Sequence, residues 1–291
     1  MLTDLRSMAS FVRSGMQVAL PVDYAGVSMA LTRPLIETGA RDLHLVCVPT
    51  GGLQVDQLIG AGLVRTVETS AVSLGEAGGA PCFNQAVKDG TVQVMDATCP
   101  AIHAGLMAAQ KGVPFIPIRG LIGTDILKHR PDWRVIDDPF APTPEPIVLI
   151  PAILPDVAIF HAPMADRFGN VWIGRRRELA AMAYAARRTL VTVERVVETN
   201  LLAQETTAAG VLPSLYVDAV AEAPKGAWPY GLWGEYAPDA AELAAYAAAA
   251  RTPEGFARYM DRSIVDRPGV DRSPADRPVA DRPGTEPALS C

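Results

Sequence analysis

The sequence predicts an α/β protein with a mostly parallel sheet, because short apolar runs alternate with helix-period segments along most of its 291 residues. The apolar runs are nearly continuous, as expected of strands that are buried on both faces. Glycines follow several helical segments, where a helix C-terminus most often needs a left-handed residue. These features indicate a sheet that is covered by helices on both faces.

The first half of the chain alternates strands and helices. Val27, Leu31 and Leu35 recur at helical spacing before Gly39, and Gly112 ends a later helical pattern. The predicted strands of this half are Val18–Leu20, Leu43–Val48, Val64–Ser70, Val92–Met95 and Pro114–Ile118, and the predicted helices are Val27–Gly39, Val55–Ala61, Phe83–Gly90 and Ile102–Gly112.

The second half contains further apolar runs and two helical patterns. The predicted strands are Ile147–Ile150, Val157–Phe160, Leu190–Val193 and Ser214–Val217, and the predicted helices are Arg177–Arg188 and Ala240–Ala250. Strands that alternate with helices in this way are typical of parallel sheets.

The stretch Asp156–Gly174 carries the strongest local signal of a site. Its buried strand is expected to stop at His161-Ala162-Pro163, and a polar turn from Asp166 to Asn170 then leads into Val171-Trp172-Ile173. In open α/β sheets, ligands lie beyond the carboxyl ends of the strands, which favours His161 and Asp166 as site residues. The alternative is a hairpin in which the Asp and Asn only form the turn.

Composition excludes several classes of protein. A net charge of −6 and a pI near 5.3 give no support for binding to nucleic acid or to an anionic membrane surface. No apolar run approaches the roughly 18 residues that a membrane span needs. The first residues lack the pattern of a secretory signal, and four cysteines without Cys-x-x-Cys spacing are typical of reduced thiols, so a cytoplasmic protein is expected.

The C-terminal segment differs in composition from the rest. Residues 261–285 are five pentads that each begin with Asp-Arg, are rich in proline and contain few large apolar side chains. Such a segment buries too little surface to offset its ordering entropy. We therefore predict a folded domain over residues 1–260 and a disordered tail over residues 261–291.

Common catalytic motifs are absent from the sequence. It has no P-loop and no Gly-x-Ser-x-Gly elbow, and Gly60-Ala-Gly62 lacks the third glycine of a dinucleotide fingerprint because Arg65 stands there. The four histidines are scattered, so no metal site is expected. Cys99 and His103, four residues apart at a predicted helix start, suit either packing or a nucleophilic thiolate.

Three glycine-rich loops follow predicted strands. Glycine permits close approach of the backbone to a ligand and leaves amide groups free to bind an oxyanion. Each loop alone suits a simple turn, but together with His161 and Asp166 they favour a shared cleft. The loops are Pro49–Gly52, Ser73–Pro81 and Arg119–Asp125.

The order of several segments resembles the A (alpha) subunit of family I coenzyme A transferases of the glutaconate and 3-oxoacid type. The similar segments extend over about residues 10–260, and their order and spacing carry the resemblance more than any single motif. They are Met29–Arg33, Gly39–Val46, Asp56–Val64, Gly105–Ala109, Gly112–Arg119, Gly123–Asp125, Ala165–Asn170 and Ala223–Pro229 with Tyr236.

This resemblance implies a doubly wound α/β fold of the NagB/RpiA/CoA-transferase kind and a partner B (beta) subunit, in a heterodimer or a heterotetramer. Coenzyme A would be a substrate, and no cofactor is implied. The nucleophilic glutamate would belong to the partner, since no glutamate of this chain, Glu76 included, has the expected context. A carboxylate nucleophile divides one difficult exchange into two easier steps.

The resemblance also implies roles for residues of this chain. His161 and Asp166 are the catalytic candidates, with the role of orienting the partner's groups. The residues expected to bind substrate or CoA are Arg119, Gly120, Gly123, Thr124, Asp125 and Asn170. Lys225 is a further candidate for contact with CoA phosphates, as a charge-assisted donor.

The chain departs from the family pattern in two places. Leu20–Gly26 stands where relatives have a glycine-rich loop, and Asp96–Pro100 stands where relatives commonly have a glutamate-bearing segment. The chain also resembles ring-cleaving acyl-CoA hydrolases of steroid degradation at Gly174–Ala180. Three functions therefore remain open, namely a component of a CoA-transferase, a component of a hydrolase on the same scaffold, and a non-catalytic acyl-CoA-binding protein.

Overall fold

The computed structural model describes residues 2–262, which form a nine-stranded sheet, a three-stranded sheet and ten α-helices. The predicted tail lies outside the described residues from position 263 onward. The larger sheet contains β1 (Gln17–Pro21), β2 (Leu43–Val48), β3 (Val64–Thr69), β4 (Gln93–Asp96), β8 (Val157–Asp166), β9 (Val171–Trp172), β10 (Thr189–Val197), β11 (Val211–Leu212) and β12 (Ala219–Glu222). The smaller sheet contains β5 (Phe115–Ile118), β6 (Arg134–Asp137) and β7 (Pro146–Pro151).

The helices connect these strands along the chain. They are α1 (Leu5–Ala9), α2 (Met29–Glu37), α3 (Leu53–Gly60), α4 (Pro81–Lys88), α5 (Cys99–Lys111), α6 (Ile126–His129), α7 (Arg177–Ala185), α8 (Glu205–Ala208), α9 (Ala240–Ala249) and α10 (Pro253–Arg262). Gly39 and Gly112 have positive φ angles just after α2 and α5, as the sequence predicts. α10 includes the first two residues of the predicted tail.

The parallel strands of the larger sheet follow the spatial order β4-β3-β2-β1-β8-β10-β12. The chain order reverses between β1 and β8, where Val18 pairs with Val157. β9 pairs antiparallel with the end of β8 and with β11. This is a doubly wound arrangement, so the predicted fold class is confirmed. Sheets of this kind bind ligands at the point where the strand order reverses.

Two hydrophobic cores lie on opposite faces of the larger sheet. Along β8, Val157 and Ile159 belong to one core, whereas Ala158 and Phe160 belong to the other. The first core also contains residues of α1 to α4, α9 and α10, and the second contains residues of α5 and α7. Because successive side chains of a strand point to opposite faces, an apolar run without polar interruption is the pattern that such a strand requires.

The smaller sheet corrects one sequence expectation. Residues 114–118 and 147–150 were expected in the parallel sheet, but β5 and β7 pair antiparallel with each other, and β7 also pairs with β6. β6 was not predicted, and its four residues are exposed. Only two of these residues, Val135 and Ile136, are apolar, and a run of two is too short to predict a strand.

Two predicted strand boundaries in the second half are also wrong. β8 continues through Pro163 to Asp166. Only its first two residues pair with β1, so Pro163, which has no amide donor, lies in a part of the strand that does not donate to β1. Residues 214–217 are not a strand, because Ser214–Tyr216 form a 3-10 turn and the strand is β12.

A buried carboxylate joins three helices of the first core. Asp56 of α3 accepts hydrogen bonds from the amide of Phe83 at 2.7 Å and that of Cys82 at 3.3 Å, both at the start of α4. The hydroxyl of Tyr246, on α9, donates to the same carboxylate at 2.7 Å. Burial raises the pKa of Asp56, and these three donors oppose that rise.

We predict that Tyr246→Phe lowers the free energy of unfolding by about 1–3 kcal/mol, because it removes a donor from a buried carboxylate. Urea denaturation at pH 7 measures the change. Tyr24→Phe is the control, since it removes the same hydroxyl from a side chain that is 62% exposed. Equal losses in the two variants would contradict the assigned role of Tyr246.

Candidate functional site

A cavity of about 850 Å³ lies at the edge of the larger sheet where the parallel strands end. Its walls come from five parts of the chain: the segment after β1, the turn Gly75–Ala77 after β3, Arg176 before α7, residues 230–238 after β12, and the first turns of α9. A cavity of this size is in the range of small-molecule sites. Its place beside the reversal of strand order makes it the candidate functional site.

Asp23 is the carboxylate at the base of this cavity. It follows β1, and its Oδ1 is buried without a hydrogen-bond partner among the described residues. The adjacent side chain is Tyr230, whose hydroxyl accepts a hydrogen bond from the amide of Leu53 at 2.6 Å. Burial raises the pKa of Asp23 to about 6, and the neighbouring Tyr230 hydroxyl opposes that rise. Asp23 therefore changes its charge near neutral pH.

Gly52 provides the space for this pair of side chains. A Cβ atom at this position would overlap both Asp23 Oδ1 and the hydroxyl of Tyr230. In the predicted glycine loop Pro49–Gly52, the glycine is therefore needed so that the backbone can pack closely against Asp23 and Tyr230. Gly75, from the second predicted loop, lines the cavity directly.

Arg176 lies between two aromatic side chains of the cavity. Its Cζ atom is 5.2 Å from the ring centroid of Tyr24 and 5.1 Å from that of Trp233. Cation–π contacts with two rings favour one orientation of the guanidinium group. Its nearest carboxylate is Glu178, at 3.8 Å from Nη1.

Unpartnered buried polar atoms are concentrated at this cavity. Five such side-chain atoms occur in the part of the chain that the structure describes. Asp23 Oδ1, Arg176 Nε and Trp233 Nε1 belong to residues that line the cavity, whereas His44 Nε2 and Gln54 Oε1 do not. Buried polar groups are ordinarily hydrogen-bonded, and three of the five exceptions in the described residues belong to side chains of the cavity wall.

Glu194, in β10, holds the segment that forms one wall of the cavity. Its Oε2 accepts from the amide of Lys225 at 2.6 Å, and its Oε1 accepts from the amide of Gly226 at 3.2 Å. The hydroxyl of Tyr236, which lines the cavity, also donates to Oε1 at 2.8 Å. The carboxylate therefore attaches residues 225–236 to the end of the sheet.

His161 is the fourth partner of Glu194, at 2.7 Å between Nε2 and Oε1. Burial lowers the pKa of His161, and the contact with Glu194 raises it, with a net decrease. Burial raises the pKa of Glu194, but the bonds from His161 and its other donors outweigh burial and lower it. The pair is thus a neutral imidazole that donates through Nε2 to an ionised carboxylate.

The other ring nitrogen of His161 completes a buried chain of hydrogen bonds. Nδ1 lies 2.8 Å from Thr192 Oγ1, which lies 2.7 Å from Ser28 Oγ. His161 is fully buried and does not line the cavity. Its hydrogen-bonded connection to the cavity wall passes through Glu194 to Tyr236.

Asp166 and Asn170 form the turn between β8 and β9. The two oxygens of Asp166 accept from the amides of Phe168, Asn170 and Leu201 and from the side-chain amide of Asn170, at 2.8–3.0 Å. Asn170 Oδ1 accepts from the amide of Ser214 at 2.9 Å. Both side chains are buried, and this geometry is that of the hairpin alternative.

The loop of residues 119–125 follows β5 of the smaller sheet. Arg119 pairs with Asp138 at 3.0 Å and with Glu145. Thr124 Oγ1 donates to the carbonyl of Leu121 at 2.8 Å, and Asp125 pairs with Lys128 at 2.6 Å. These contacts are local, and none of the predicted site residues in this loop lines the cavity among its described lining residues.

The eight predicted site residues therefore fall into three separate groups. Polar and aromatic residues that line the cavity and that sequence analysis did not select as site residues include Asp23, Tyr24, Arg176, Trp233 and Tyr236. Sequence analysis noted that Leu20–Gly26 departs from the glycine-rich pattern, and Asp23 and Tyr24 lie in this segment, but it did not select them. Tyr236 stands in a segment that carried the family resemblance.

Other candidate chemistry is not assembled in the structure. Cys99 begins α5 and is exposed, with Sγ 3.3 Å from Ser70 Oγ. Burial lowers the pKa of His103. Across residues 2–262, no three His, Cys, Asp or Glu side chains form a group that could hold a metal ion. Within the same range, no helix is both long and apolar enough to span a membrane.

We predict that Asp23→Asn stabilises the protein at neutral pH. The folded state binds the Asp23 proton more tightly than the unfolded state does, because the pKa rises from 3.8 to about 6. The protonated carboxyl group of Asp23 therefore makes its full contribution to stability below pH 4, and this contribution is lost as the pH rises through about 6. Between pH 4 and pH 7, the stability of the variant relative to the parent should increase by up to about 3 kcal/mol.

Urea denaturation across this pH range measures the difference. Asp125→Asn is the control, because Asp125 has an 81% exposed side chain and a surface ion pair of little energy. A pH-independent difference between Asp23→Asn and the parent would show that folding does not raise the pKa of Asp23.

Comparison with known proteins extends the sequence resemblance. Residues 2–223 match the family model described as coenzyme A transferase. The A subunit of the 3-oxoadipate CoA-transferase of Pseudomonas knackmussii is 34% identical over 91% of this chain and 93% of that protein. The cholesterol ring-cleaving hydrolase IpdA subunit of Rhodococcus jostii is 32% identical over 80% of each chain. An uncharacterised protein of Archaeoglobus fulgidus is 35% identical, but the match spans only 58% of that protein's length.

Solved structures show the same relationship. Glutaconate coenzyme A-transferase from Acidaminococcus fermentans superposes with a TM-score of 0.82 at 27% identity, over 90% of this chain and 87% of that one. A variant of the decarboxylase AibA/AibB superposes with a TM-score of 0.77 at 28% identity, over 90% and 98% of the two chains. The doubly wound sheet, the extent of the family match and the identity to the 3-oxoadipate enzyme together show that this chain belongs to the coenzyme A transferase family.

Proposed function

We propose that this chain is the A subunit of a heteromeric CoA-transferase that moves CoA between an acyl-CoA and a carboxylic acid. The observation that carries the proposal is the match to the 3-oxoadipate CoA-transferase chain over 93% of that chain's length. Relatives that are themselves named as A subunits support a B-type partner, in a heterodimer or a heterotetramer. Coenzyme A enters this scheme as a substrate.

The nucleophilic glutamate is proposed to come from the partner. Among the described residues that line the cavity, the glutamates are Glu76 and Glu235. Glu76 lies exposed in a short turn, and Glu235 pairs with Arg195 at 2.8 Å. Glu194 already accepts from four donors. A glutamate of the partner that carries CoA as a glutamyl thioester therefore suits these surroundings better than any of the three.

Positioning is the role proposed for His161, Asp166 and Asn170. His161 orients Glu194, which in turn fixes Tyr236 at the cavity. Asp166 and Asn170 hold the turn that leads through β9 toward Arg176. Residues held in one geometry by hydrogen-bonded neighbours reduce the entropy lost when substrate and nucleophile meet.

The loop of residues 119–125 is proposed to contact CoA. A Cβ atom added at Gly120 or Gly123 would meet no other atom within 4 Å, so the backbone there is open to a ligand. Arg119 and Thr124 would supply donors there, with Asp125 shaping the turn. These residues do not line the cavity, so we propose that a long ligand such as CoA contacts both places.

A role in a hydrolase is the second candidate function. Asp23 favours it, because a carboxyl group whose pKa is about 6 stands where relatives have a glycine-rich loop. Such a group could take a proton from water as the water attacks a thioester carbonyl near neutral pH. The relatives named as ring-cleaving hydrolase subunits support this candidate.

We predict CoA exchange when the chain is co-expressed with a B-type partner and supplied with an acyl-CoA and acetate. Borohydride or hydroxylamine should trap a glutamyl thioester on the partner and none on this chain. Mass spectrometry of the two proteins locates the modification, and each protein by itself is the control.

Two outcomes would contradict the transferase function. Free CoA released without an acceptor acid would indicate the hydrolase instead. A trapped glutamate at Glu76 or another position of this chain would show that the nucleophile does not come from the partner.

A further inference from the structure

We propose that the exposed edge of β6 pairs antiparallel with β6 of a second copy of this chain, so that two three-stranded sheets become one continuous sheet. This inference goes beyond the proposed function, because it assigns a contact between two copies of this chain and does not involve the cavity. It favours an assembly with two such copies, which is the heterotetramer rather than the heterodimer.

The first argument is the exposure of β6. The order β5-β7-β6 gives it one neighbouring strand among the described residues, and all four of its residues are exposed. Val135 and Ile136 are 51% and 42% exposed, and Phe140, shortly after the strand, is 95% exposed. The strand contains no proline, and its pairing with β7 has no bulge. Because proline and bulges are devices that protect an edge from pairing, this edge remains open to another strand.

The second argument is the direction of the backbone groups. The amide of Asp138 donates to the carbonyl of Glu145 at 2.8 Å, so Asp138 is hydrogen-bonded toward the side of β7. Residues of an antiparallel ladder alternate between those that bond to the neighbouring strand and those that do not. The amide and carbonyl groups of Asp137 and Val135 therefore face outward. Pro146, which has no amide hydrogen, stands opposite Asp137, as this alternation requires.

These outward groups determine how two copies fit together. When Val135 of one copy bonds with Asp137 of the other, the two-fold axis passes beside Ile136, and about four backbone hydrogen bonds form. Arg134 then lies opposite Asp138 of the second copy, and Ile136 lies opposite its own counterpart. The side chains on this face are positive, apolar and negative in one copy, and they meet the reverse order in the other. Charge complementarity therefore favours a second copy of this chain as the occupant.

Other registers of the same two edges are less favourable. A shift by two residues in one direction places Asp137 opposite Asp137 of the second copy, where like charges repel. A shift in the other direction places Arg134 opposite an apolar residue. Asp138 accepts from Arg119 at 3.0 Å and from one backbone amide. An ionised carboxylate has about four lone-pair sites, so a further donor from the second copy can be accommodated.

Disulfide cross-linking of the full-length chain tests this register. Cys99 is exposed, so every protein carries Cys99→Ser together with Cys291→Ser. Opposite residues that are not hydrogen-bonded have Cα atoms about 4.5 Å apart, within the roughly 4.4–6.8 Å that a disulfide allows. We therefore expect Ile136→Cys to form a covalent dimer on mild oxidation. Non-reducing electrophoresis measures the dimer, and mass spectrometry identifies the linked peptides.

Val135→Cys is the matched control, because Val135 is adjacent and at least as exposed. In the proposed register its counterpart is diagonal, with Cα atoms about 9 Å apart, which is too far for a disulfide. Equal cross-linking at the two positions would indicate random collisions, and cross-linking at position 135 alone would indicate another register. Either result, or no covalent dimer from Ile136→Cys, would overturn the proposal.

Sedimentation equilibrium measures the same contact without introduced cysteines. Ile136→Lys places like charges beside the two-fold axis and should raise the dissociation constant of the dimer at least about tenfold. Leu215→Lys is the control, since it adds the same charge at a side chain that is 83% exposed and lies outside the smaller sheet. Thermal unfolding checks that both variants are folded. Equal dissociation constants for the two variants, or a parent chain that stays monomeric, would contradict the proposed contact.

Co-expression with a B-type partner distinguishes the second copy from that partner as the occupant of β6. The covalent dimer of Ile136→Cys should form in the complex as it does in the chain alone. Loss of the dimer in the complex would show that the partner covers β6, and would overturn the proposal. CoA exchange plays no part in these measurements, so the cross-link stands or fails separately from the transferase function.

Discussion

The parallel pairing of β1 with β8 is the constraint on which the rest of the structure depends. These strands are separated by more than a hundred residues of chain, yet Val18 and Ala19 pair with Val157 and Ala158. On one side of this pair the chain proceeds through β2 to β4, and on the other through β10 to β12. The loops after the strands on both sides therefore meet at one edge of the sheet, where the cavity lies.

Carboxylates at the sheet and helix ends differ in how well their hydrogen bonds are satisfied. Asp56, Asp166 and Glu194 are each surrounded by donors, and each holds separate segments together. Asp23 has the hydroxyl of Tyr230 as its one side-chain partner, and its Oδ1 has no well-formed hydrogen bond in the described residues. A buried carboxylate that accepts several hydrogen bonds is typical of a structural role. A carboxylate with fewer hydrogen bonds at a cavity is better suited to contact with a ligand.

His161 shows how tertiary contacts determine what a predicted site residue touches. The sequence predicts that it follows a buried strand, whereas in the structure it is the fifth of the ten residues of β8. Its side chain points into a network with Thr192 and Glu194, on the neighbouring strand β10. Only the register between β8 and β10 brings these residues together, and no spacing along the chain predicts that register.

The sequence alone determined the α/β class, most of the helices and the strands of the parallel sheet, because strands buried on both faces require continuous apolar runs and helices require their own period. It also identified the coenzyme A transferase family from the order of its segments. Only the tertiary structure decided that Asp23, Arg176 and Trp233 share a cavity, since they come from segments that are distant along the chain. It likewise showed that β5, which precedes the loop of residues 119–125, belongs to the smaller antiparallel sheet and not to the sheet of His161. The hydrophobic periodicity of a segment indicates which of its side chains are buried, but only the pairing of distant strands determines which segments lie next to each other.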